Sequence, residues 1–262
     1  MTDLAKVLAS IPILQYDQVP MAIHRYWTAL KASSERKLAT EHVEVYVSDA
    51  CEDKLVLLEM ENSPTLVFML PDIADKTIGM FSTSPSDPAQ LRNILSREGL
   101  HLHGEDYLFY FADAEKQRLI ADPDVRPLSE SDHASFDAFQ KSCSEADLDN
   151  AYVELDHWMV RGLFVDGRLV SIASAYPDGD EHIADIGVIT HPLERGKGYA
   201  TRLVRTICHD IREAKYEPQY RCQLDNAESI LVAKSSGLSL FATWDVLSEE
   251  VELDTLVKKV NA

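Results

Sequence analysis

The sequence predicts a mixed α+β fold in which a central, mostly antiparallel sheet is flanked by helices. Short apolar, β-branched runs recur along the chain between clusters of Asp, Glu, Asn and Pro, which is the pattern of strands and turns. The dipeptide Asp166-Gly167 joins two such runs and is typical of a β-hairpin. Apolar residues between Ala200 and Ile211 repeat every three or four positions, which indicates an amphipathic helix.

Helices and strands both occur in the first half of the chain. Helical spacing of apolar residues predicts a helix over Met21–Thr40, and Asp87 with Pro88 marks the start of a second helix over Ser86–Arg97. Residues 113–120 form a shorter expected helix. The strands are expected over 43–47, 54–60 and 65–70, as an antiparallel meander, and over 107–111.

The segment Ala121–Asp124 is the predicted boundary between two domains. Pro123 disfavours helix at the residue before it, and helical periodicity restarts afterwards. A chain of 262 residues suits two domains of ordinary size. We therefore expect an N-terminal α+β domain over residues 1–122 and a C-terminal domain over residues 123–262.

The second half is expected to alternate strands and helices around the hairpin. Residues 249–260, at its end, fit either a strand or a helix. The expected elements are a strand over 125–128, a helix over 129–143, hairpin strands over 160–165 and 168–176, a strand over 183–190, a helix from 198, a strand over 219–224, a helix over 226–236 closed by Gly237, and a strand over 241–247.

Charge and cysteine content exclude several classes of function. Acidic residues outnumber basic ones by 44 to 25, and the formal charge of -19 repels nucleic acid and anionic membranes. The four cysteines lie far apart without a CxxC pair, so neither a disulfide framework nor a metal site is predicted. The start of the sequence has no unbroken apolar run of the length a signal or membrane span needs, which favours the cytoplasm.

The segment Thr190–Gly198 joins a predicted strand to a predicted helix and is the most informative part of the sequence. Gly196 and Gly198 let consecutive backbone N–H groups point outward. The first N–H groups of a helix lack internal partners, and the helix dipole adds about half a positive charge there. Residues 194–205 carry four basic residues against one acidic residue, a local charge of +3. These features together predict a pyrophosphate site.

Two other phosphate-binding loops do not fit this segment. A Walker loop requires Ser or Thr after its lysine, whereas Lys197 is followed by Gly198. The dinucleotide fingerprint needs a third glycine where Thr201 stands, and it needs parallel βαβ units rather than a hairpin.

The stretch Arg195–Ala200 matches the R-x-x-G-x-A acyl-CoA motif, and on it the chain resembles the GNAT N-acetyltransferase superfamily. The order of expected elements over residues 123–262 resembles that fold as well, and Asn226 agrees with it. The N-terminal half matches no motif. It resembles the extension of two-domain members, in which the extra region packs against the catalytic domain and is in some cases a degenerate copy of the same fold.

The resemblance implies an acyl-CoA N-acyltransferase fold in the C-terminal half and acetyl-CoA as the cofactor. It places the pyrophosphate on the backbone of Arg195–Ala200, the pantetheine arm along the end of a strand, and a backbone N–H near Val188 on the thioester carbonyl. Asn226 would contact the arm, cap its helix, or do both. The implied cofactor-binding residues are Val188, Ile189, Thr190, Arg195, Gly196, Lys197, Gly198, Tyr199, Ala200, Thr201, Asn226 and Ser229.

An amine nucleophile must be neutral to attack, so the enzyme needs a base or selects the rare free amine. Asp185 is the first candidate base, because strand alternation puts it on the face of Gly187, where relatives often carry a glutamate. Glu154, Asp156 and His157, just before the hairpin, are rivals. Each of the four candidates also fits as a solvated surface residue.

The acid that protonates the departing thiolate is in doubt. Relatives commonly place a tyrosine seven residues after the asparagine, whereas Ala233 stands there in this sequence. Ser229, Ser235, Cys222 or a water could replace it. The thiolate, with a reference pKa of about 8.5, could also leave unassisted.

The leading hypothesis is transfer of an acetyl group from acetyl-CoA to a primary amine of an unidentified small molecule, by direct attack in a ternary complex. The acidic composition suits a cationic amine. A catalytically silent acyl-CoA-binding regulatory module is the alternative, motivated by the missing tyrosine. A third hypothesis makes the N-terminal half the active one and the C-terminal half a CoA sensor. The sequence leaves a homodimer open.

Overall fold

The computed structural model describes residues 4–83, 87–178 and 182–248. The residues over 249–260, expected to form a strand or a helix, lie outside this part of the chain. The strands are β1 Glu35–Ala39, β2 Val43–Val47, β3 Leu55–Met60, β4 Thr65–Met69, β5 Asp106–Tyr110, β6 Val125–Pro127, β7 Met159–Val165, β8 Arg168–Asp178, β9 Ile183–Thr190, β10 Glu217–Gln223 and β11 Ser239–Val246.

Helices surround these strands in the described part of the chain. None of the helices formed by the described residues is both long and apolar enough to span a membrane. The helices are α1 Leu4–Leu8, α2 Met21–Ala32, α3 Pro71–Thr77, α4 Pro88–Arg97, α5 Asp113–Lys116, α6 His133–Gln140, α7 Glu145–Ala151, α8 Tyr199–Glu213 and α9 Ala227–Ser236.

The strands of the described residues join one eleven-stranded sheet in the order β1-β2-β4-β3-β11-β5-β10-β9-β8-β7-β6. The pairs β2–β4 and β9–β10 are parallel, and the other neighbours are antiparallel. Helices pack on both faces. The structure thus confirms the predicted mixed α+β class with a mostly antiparallel central sheet.

The two faces of the C-terminal part of the sheet bury different helices. Helix α8 packs on β7 to β10 through buried Leu203, Val204 and Ile207, and α9 lies beside it. Helices α6 and α7 pack on the opposite face. Successive residues of β8 point to opposite faces of the sheet, so Ala173 packs toward α8 whereas Ile172 packs toward α6. This part of the sheet is therefore covered on both sides, and a ligand must enter where neighbouring strands separate.

The two predicted domains exchange strands. β5, which precedes residue 122, lies between β10 and β11 and pairs antiparallel with both. β11, which follows residue 122, lies between β5 and β3 of the N-terminal segment. Neither segment contains all the strands of its own part of the sheet. The division at residue 122, and the reading of the N-terminal segment as a degenerate copy, stay predictions.

The helix predicted over Met21–Thr40 is wrong in its second half. Helix α2 ends at Ala32, where the hydroxyl groups of Ser33 and Ser34 donate to the carbonyl oxygen of Leu30. Residues 35–39 are mostly helix formers, yet they pair with β2 as strand β1. Serine capping and strand pairing thus override helical propensity at this point.

Other local expectations need smaller corrections. The antiparallel meander is wrong in its order, because β4 lies between β2 and β3 and is parallel to β2. The helices predicted over 113–120 and 129–143 are shorter than expected, since α5 ends at Lys116 and α6 covers His133–Gln140. Hydrophobic periodicity identifies a strand but not its neighbour, which explains the wrong order.

Candidate active site

A turn between β9 and α8 presents a row of backbone N–H groups at the surface. Gly196 and Gly198 have φ values of 75° and 80°, in the left-handed region that favours glycine. Among the described residues, no acceptor is hydrogen-bonded to the N–H groups of Gly196 to Thr201, and the first bond of α8 runs from Arg202 N–H to the Gly198 carbonyl at 3.2 Å. The turn therefore offers unpaired donors at the positive end of a helix of 15 residues.

The space in front of this turn is open. No protein atom of the described chain lies within 4 Å of the position that a Cβ would take on Gly196 or Gly198. Both glycines are exposed, and Gly198 begins α8 without a side-chain cap. An anionic group can therefore approach the turn closely.

Strands β9 and β10 are paired only over their first residues. The parallel ladder begins at the Ile183–Glu217 pair and ends at the Ile186–Tyr220 pair. Beyond it, β10 continues to pair with β5 on its other side, while residues 187–190 of β9 have no described strand on the side of β10. The two strands separate at this point and leave a gap.

Hydrogen bonds at the ends of β9 show which of its groups face this gap. His191 N–H donates to a β8 carbonyl at 2.9 Å, so odd-numbered residues bond toward β8. A β10 N–H donates to the His182 carbonyl at 2.7 Å, so even-numbered residues point toward β10. By this alternation, the backbone polar groups of Val188 and Thr190 point into the gap.

The turn and the gap form one cleft of about 550 Å³. Every predicted cofactor-binding residue except Lys197 lines this cleft. Lys197 is exposed, and its Nζ lies 2.6 Å from a carboxylate oxygen of Glu194. Asp147, Asn150, Tyr220 and Glu228 also contribute to the walls.

The two α9 residues proposed from the sequence are both at the cleft. The side chain of Asn226 accepts a hydrogen bond from Ser229 N–H at 3.0 Å, so Asn226 caps α9. Because both residues also line the cleft, the cap is compatible with a contact to a bound ligand. Ser229 is the one of the three predicted catalytic residues, beside Asp185 and Glu154, that the structure brings to the cleft.

The local charge of +3 counted along the sequence does not describe the site in space. Arg195 lies 2.9 Å from a carboxylate oxygen of Asp147 and 3.3 Å from one of Glu228. Lys197 pairs with Glu194. Both cations next to the turn are therefore already neutralised by carboxylates, two of them from distant parts of the sequence.

The two arginines further along α8 have structural partners. Arg202 is hydrogen-bonded to both carboxylate oxygens of Asp122, at 2.6 and 2.8 Å, and to Asp124 at 2.6 Å. These bonds to the Arg202 guanidinium hold the pKa of Asp122 below its usual range. Arg205 donates to two backbone carbonyls. The backbone N–H groups and the helix dipole, rather than a surplus of positive charge, make the turn an anion site.

Replacing Glu228 should strengthen binding of acetyl-CoA, the anionic cofactor that the sequence resemblance implies. In Glu228→Gln, Arg195 loses one competing carboxylate and the cleft loses one negative charge, so we expect the dissociation constant to fall by about 2- to 5-fold, the effect of one exposed ion pair. Titration calorimetry at low and moderate salt measures the change, which should shrink as salt screens the charge. Glu213→Gln, an exposed position at the other end of α8, is the matched control. Equal or weaker binding by the Glu228 variant would contradict this electrostatic account.

Asp185, the first candidate base, does not line the cleft, and both of its carboxylate oxygens contact other side chains. One carboxylate oxygen accepts from Gln219 Nε2 at 2.7 Å, and the other lies 2.6 Å from Arg221. The residue is buried, and it sits where β9 is still paired with β10. The structure therefore does not bring Asp185 to the cleft, and its role as a base stays a prediction.

His157 differs from its two rivals before the hairpin. Its Nδ1 lies 2.8 Å from Ser174 Oγ, and Ser174 is the pairing partner of Gly187 across β8 and β9. Burial lowers the pKa of His157 below the usual histidine value, which favours a neutral imidazole at neutral pH. Glu154 and Asp156 are exposed, and none of the three residues, His157 included, lines the cleft.

Helix α7 is absent from the sequence prediction, although it forms part of the cleft wall. A local signal was present, because Ser144 caps the helix by accepting from Asp147 N–H at 3.1 Å. The end of α7 packs on Gly187, where a Cβ would overlap the carbonyl oxygen of Ala151. A glycine at this position of β9 therefore lets α7 bring Asp147 and Asn150 to the cleft.

Comparison with known proteins agrees with this geometry. Residues 123–238 match the model of the acetyltransferase (GNAT) family. This part of the chain, which contains the turn, the separated strands and the cleft, is thus a GNAT acetyltransferase domain. No curated protein matches the sequence at a significant level.

Solved structures provide further similarities. A protein assigned to the GNAT family from Novosphingobium aromaticivorans is 21% identical, with a TM-score of 0.45, and the match covers 57% of this chain and 66% of that one, just under two thirds. A GNAT acetyltransferase from Colwellia psychrerythraea is 10% identical, with a TM-score of 0.48 and coverage of 70% and 76%. An aminoglycoside 6'-N-acetyltransferase from Acinetobacter haemolyticus is 22% identical, with a TM-score of 0.32 and coverage of 43% and 88%.

Proposed function

We propose that the chain is an N-acetyltransferase that passes the acetyl group of acetyl-CoA to a primary amine of a small molecule, by direct attack in a ternary complex. The observation that carries this proposal is the coincidence, in one cleft, of the unpaired N–H groups of Gly196 to Thr201 and the open edge of β9 at Val188. The first suits a pyrophosphate, and the second suits an extended arm that pairs like an added strand.

Residues along the cleft take successive parts of the cofactor. Acetyl-CoA, when bound, supplies the acetyl group as a thioester. The turn before α8 holds the pyrophosphate with its backbone N–H groups, and Thr190 pairs with the arm. The N–H of Val188 donates to the thioester carbonyl oxygen, and such a donor in a dry site is commonly worth about 3 kcal/mol in the transition state.

His157 is the best supported of the candidate bases. A half-buried imidazole that is neutral at neutral pH can accept the proton that the attacking amine loses. Asp185 is already engaged by Arg221 and Gln219, which weakens its case. Glu154 and Asp156 are exposed, whereas His157 reaches Ser174 of β8.

A catalytically silent acyl-CoA-binding module is the second candidate. Ala233, which replaces the tyrosine that relatives use, is fully buried in the core, so α9 offers no acid at that position. Cytoplasmic residence, the lack of nucleic-acid and membrane partners, and a homodimer remain predictions from the sequence. The proposal that the N-terminal segment alone is active has lost support, because that segment shares its sheet with the cleft-bearing one.

Turnover across a panel of acceptors tests the proposal. We expect release of the CoA thiol with at least one cationic amine or polyamine and none with anionic acceptors. Activity should fall as the pH drops through a pKa below the usual 6.5 of histidine, because His157 must be neutral to accept a proton. Binding of acetyl-CoA with no release across cationic, neutral and anionic amines would favour the silent module instead. Lack of acetyl-CoA binding would reject both.

A further inference from the structure

Ala233 cannot assist a departing thiolate, but another side chain of the cleft carries a hydroxyl group. Tyr220 lies in the cleft wall, directly across from the point where β9 and β10 separate. It is the β10 member of the last parallel pair, with Ile186 as its partner. Its side chain is on the face that carries α8 and α9. Tyr220 lies on β10 and not on α9, so the sequence of the helix does not reveal it.

The hydroxyl group of Tyr220 is weakly held. It donates to the carbonyl oxygen of Ser229 at 3.4 Å, near the long limit for a hydrogen bond between oxygens. Within α9, that carbonyl is also the regular acceptor for the helical N–H four residues later. The hydroxyl can therefore turn to a better acceptor in the cleft without leaving a buried group unpaired.

The ring of Tyr220, by contrast, is firmly placed. It is 2% exposed and packs edge-on against Phe109 of β5, with 6.2 Å between ring centroids. Val188, whose N–H faces the gap, lies two residues beyond Ile186, which is about 6.6 Å along an extended strand. Tyr220 of β10 and the N–H of Val188 in β9 thus lie on opposite sides of the point at which the two strands separate.

We propose that the Tyr220 hydroxyl donates a hydrogen bond to the sulfur of the departing CoA thiolate while Val188 N–H holds the carbonyl oxygen. This assignment rests on the proposed acetyl transfer. In the reaction, the acceptor nitrogen forms a bond to the carbonyl carbon and loses its proton to the base. The bond from carbon to sulfur breaks, and its electron pair stays on sulfur.

Tyr220 acts as a hydrogen-bond donor and keeps its proton. Burial raises the pKa of Tyr220 above its usual value, whereas a thiol has a reference pKa of about 8.5. The phenol is therefore the weaker acid of the two, and full proton transfer to the thiolate is unfavourable. A donor in a buried site still stabilises charge that develops on sulfur, because little water competes with it.

The pKa of the bound CoA thiol tests this role without any acceptor. Thiolate absorbance of CoA bound to the protein, followed against pH, should show a thiol pKa about one unit higher in Tyr220→Phe than in the wild type, a tenfold change in ionisation. Tyr216→Phe removes a hydroxyl just before the same strand, outside the cleft, and should leave the thiol pKa unchanged. With an acceptor, Tyr220→Phe should lower kcat about 10- to 100-fold and change the dissociation constant of acetyl-CoA less than twofold.

The possible outcomes separate this role from the proposed function. If CoA binds and the thiol pKa is the same in wild type and Tyr220→Phe, the Tyr220 assignment is overturned while acetyl transfer stands. If CoA does not bind to the wild type, the proposed function itself fails. Should Tyr220→Phe not fold, 3-fluorotyrosine at this residue provides a second test, because its more acidic phenol should lower the thiol pKa below the wild-type value.

Discussion

Residues 123–262 produced alone should fail to form a folded domain, although they contain the whole GNAT match. Strand β5, from the N-terminal segment, fills the position between β10 and β11. Without it, β10 becomes an open edge and β11 loses both of its neighbours, since β3 also belongs to the missing segment. Circular dichroism and thermal melting should show no cooperative transition.

The size of this effect follows from the aromatic core. Phe109, Tyr110 and Phe111 are almost fully buried and leave with the N-terminal segment. Each such side chain contributes about 1.5–3 kcal/mol of burial, against a net stability of about 5–15 kcal/mol for a typical domain. Loss of the three together is comparable with the whole net stability.

Production of residues 1–122 and 123–262 as two separate chains in one cell is the matched control. The break in the backbone is the same, but every strand is present, so the two chains should associate and bind acetyl-CoA. A fragment 123–262 that melts cooperatively and binds acetyl-CoA as tightly as the full chain would show that the shared sheet is not required.

Replacing Gly198 by valine should weaken acetyl-CoA binding by about 100-fold or more. A β-branched residue is strained at a φ of 80°, which costs about 1–3 kcal/mol. The new side chain also stands in the open space in front of the turn and turns its N–H groups away from the ligand. Titration calorimetry measures the affinity, and thermal melting measures the stability.

Gly167→Val separates strain from binding. Gly167 has a φ of 75°, and no atom of the described residues lies within 4 Å of its Cβ position either, but it belongs to the β7–β8 hairpin. Both variants should lose similar stability, whereas Gly167→Val should keep its affinity for acetyl-CoA. Equal loss of affinity in the two variants, or none in Gly198→Val, would mean that the turn does not bind the cofactor.

Features that depend on local sequence could be predicted. Three such features are present in the structure, and each depends on a few neighbouring residues. They are the turn with Gly196 and Gly198, the helix start after Gly198 and the Asp166-Gly167 hairpin. The resemblance to the GNAT family rested on the motif in this turn together with the order of the expected elements and Asn226, and the family match over residues 123–238 confirms it. Strong local signals were sufficient here, because turn geometry is set by the residues that form it.

Features that depend on distant residues could not be predicted. No pattern within β5 shows that it will pair with β10 and β11, which are more than 100 residues away in the sequence. The predicted surplus of positive charge around the turn was wrong for the same reason, since Asp147 and Glu228 approach Arg195 only in the folded chain. Ser33 and Ser34 ended a helix whose periodicity continued, because strand pairing stabilised the alternative.

A crystal structure of the full chain with coenzyme A tests the central claim most directly. We predict that oxygen atoms of the pyrophosphate lie about 3 Å from backbone nitrogens within Gly196 to Thr201, the distance of an N–H···O hydrogen bond. Pyrophosphate bound elsewhere on the protein, with these nitrogens left without a ligand, would contradict the account.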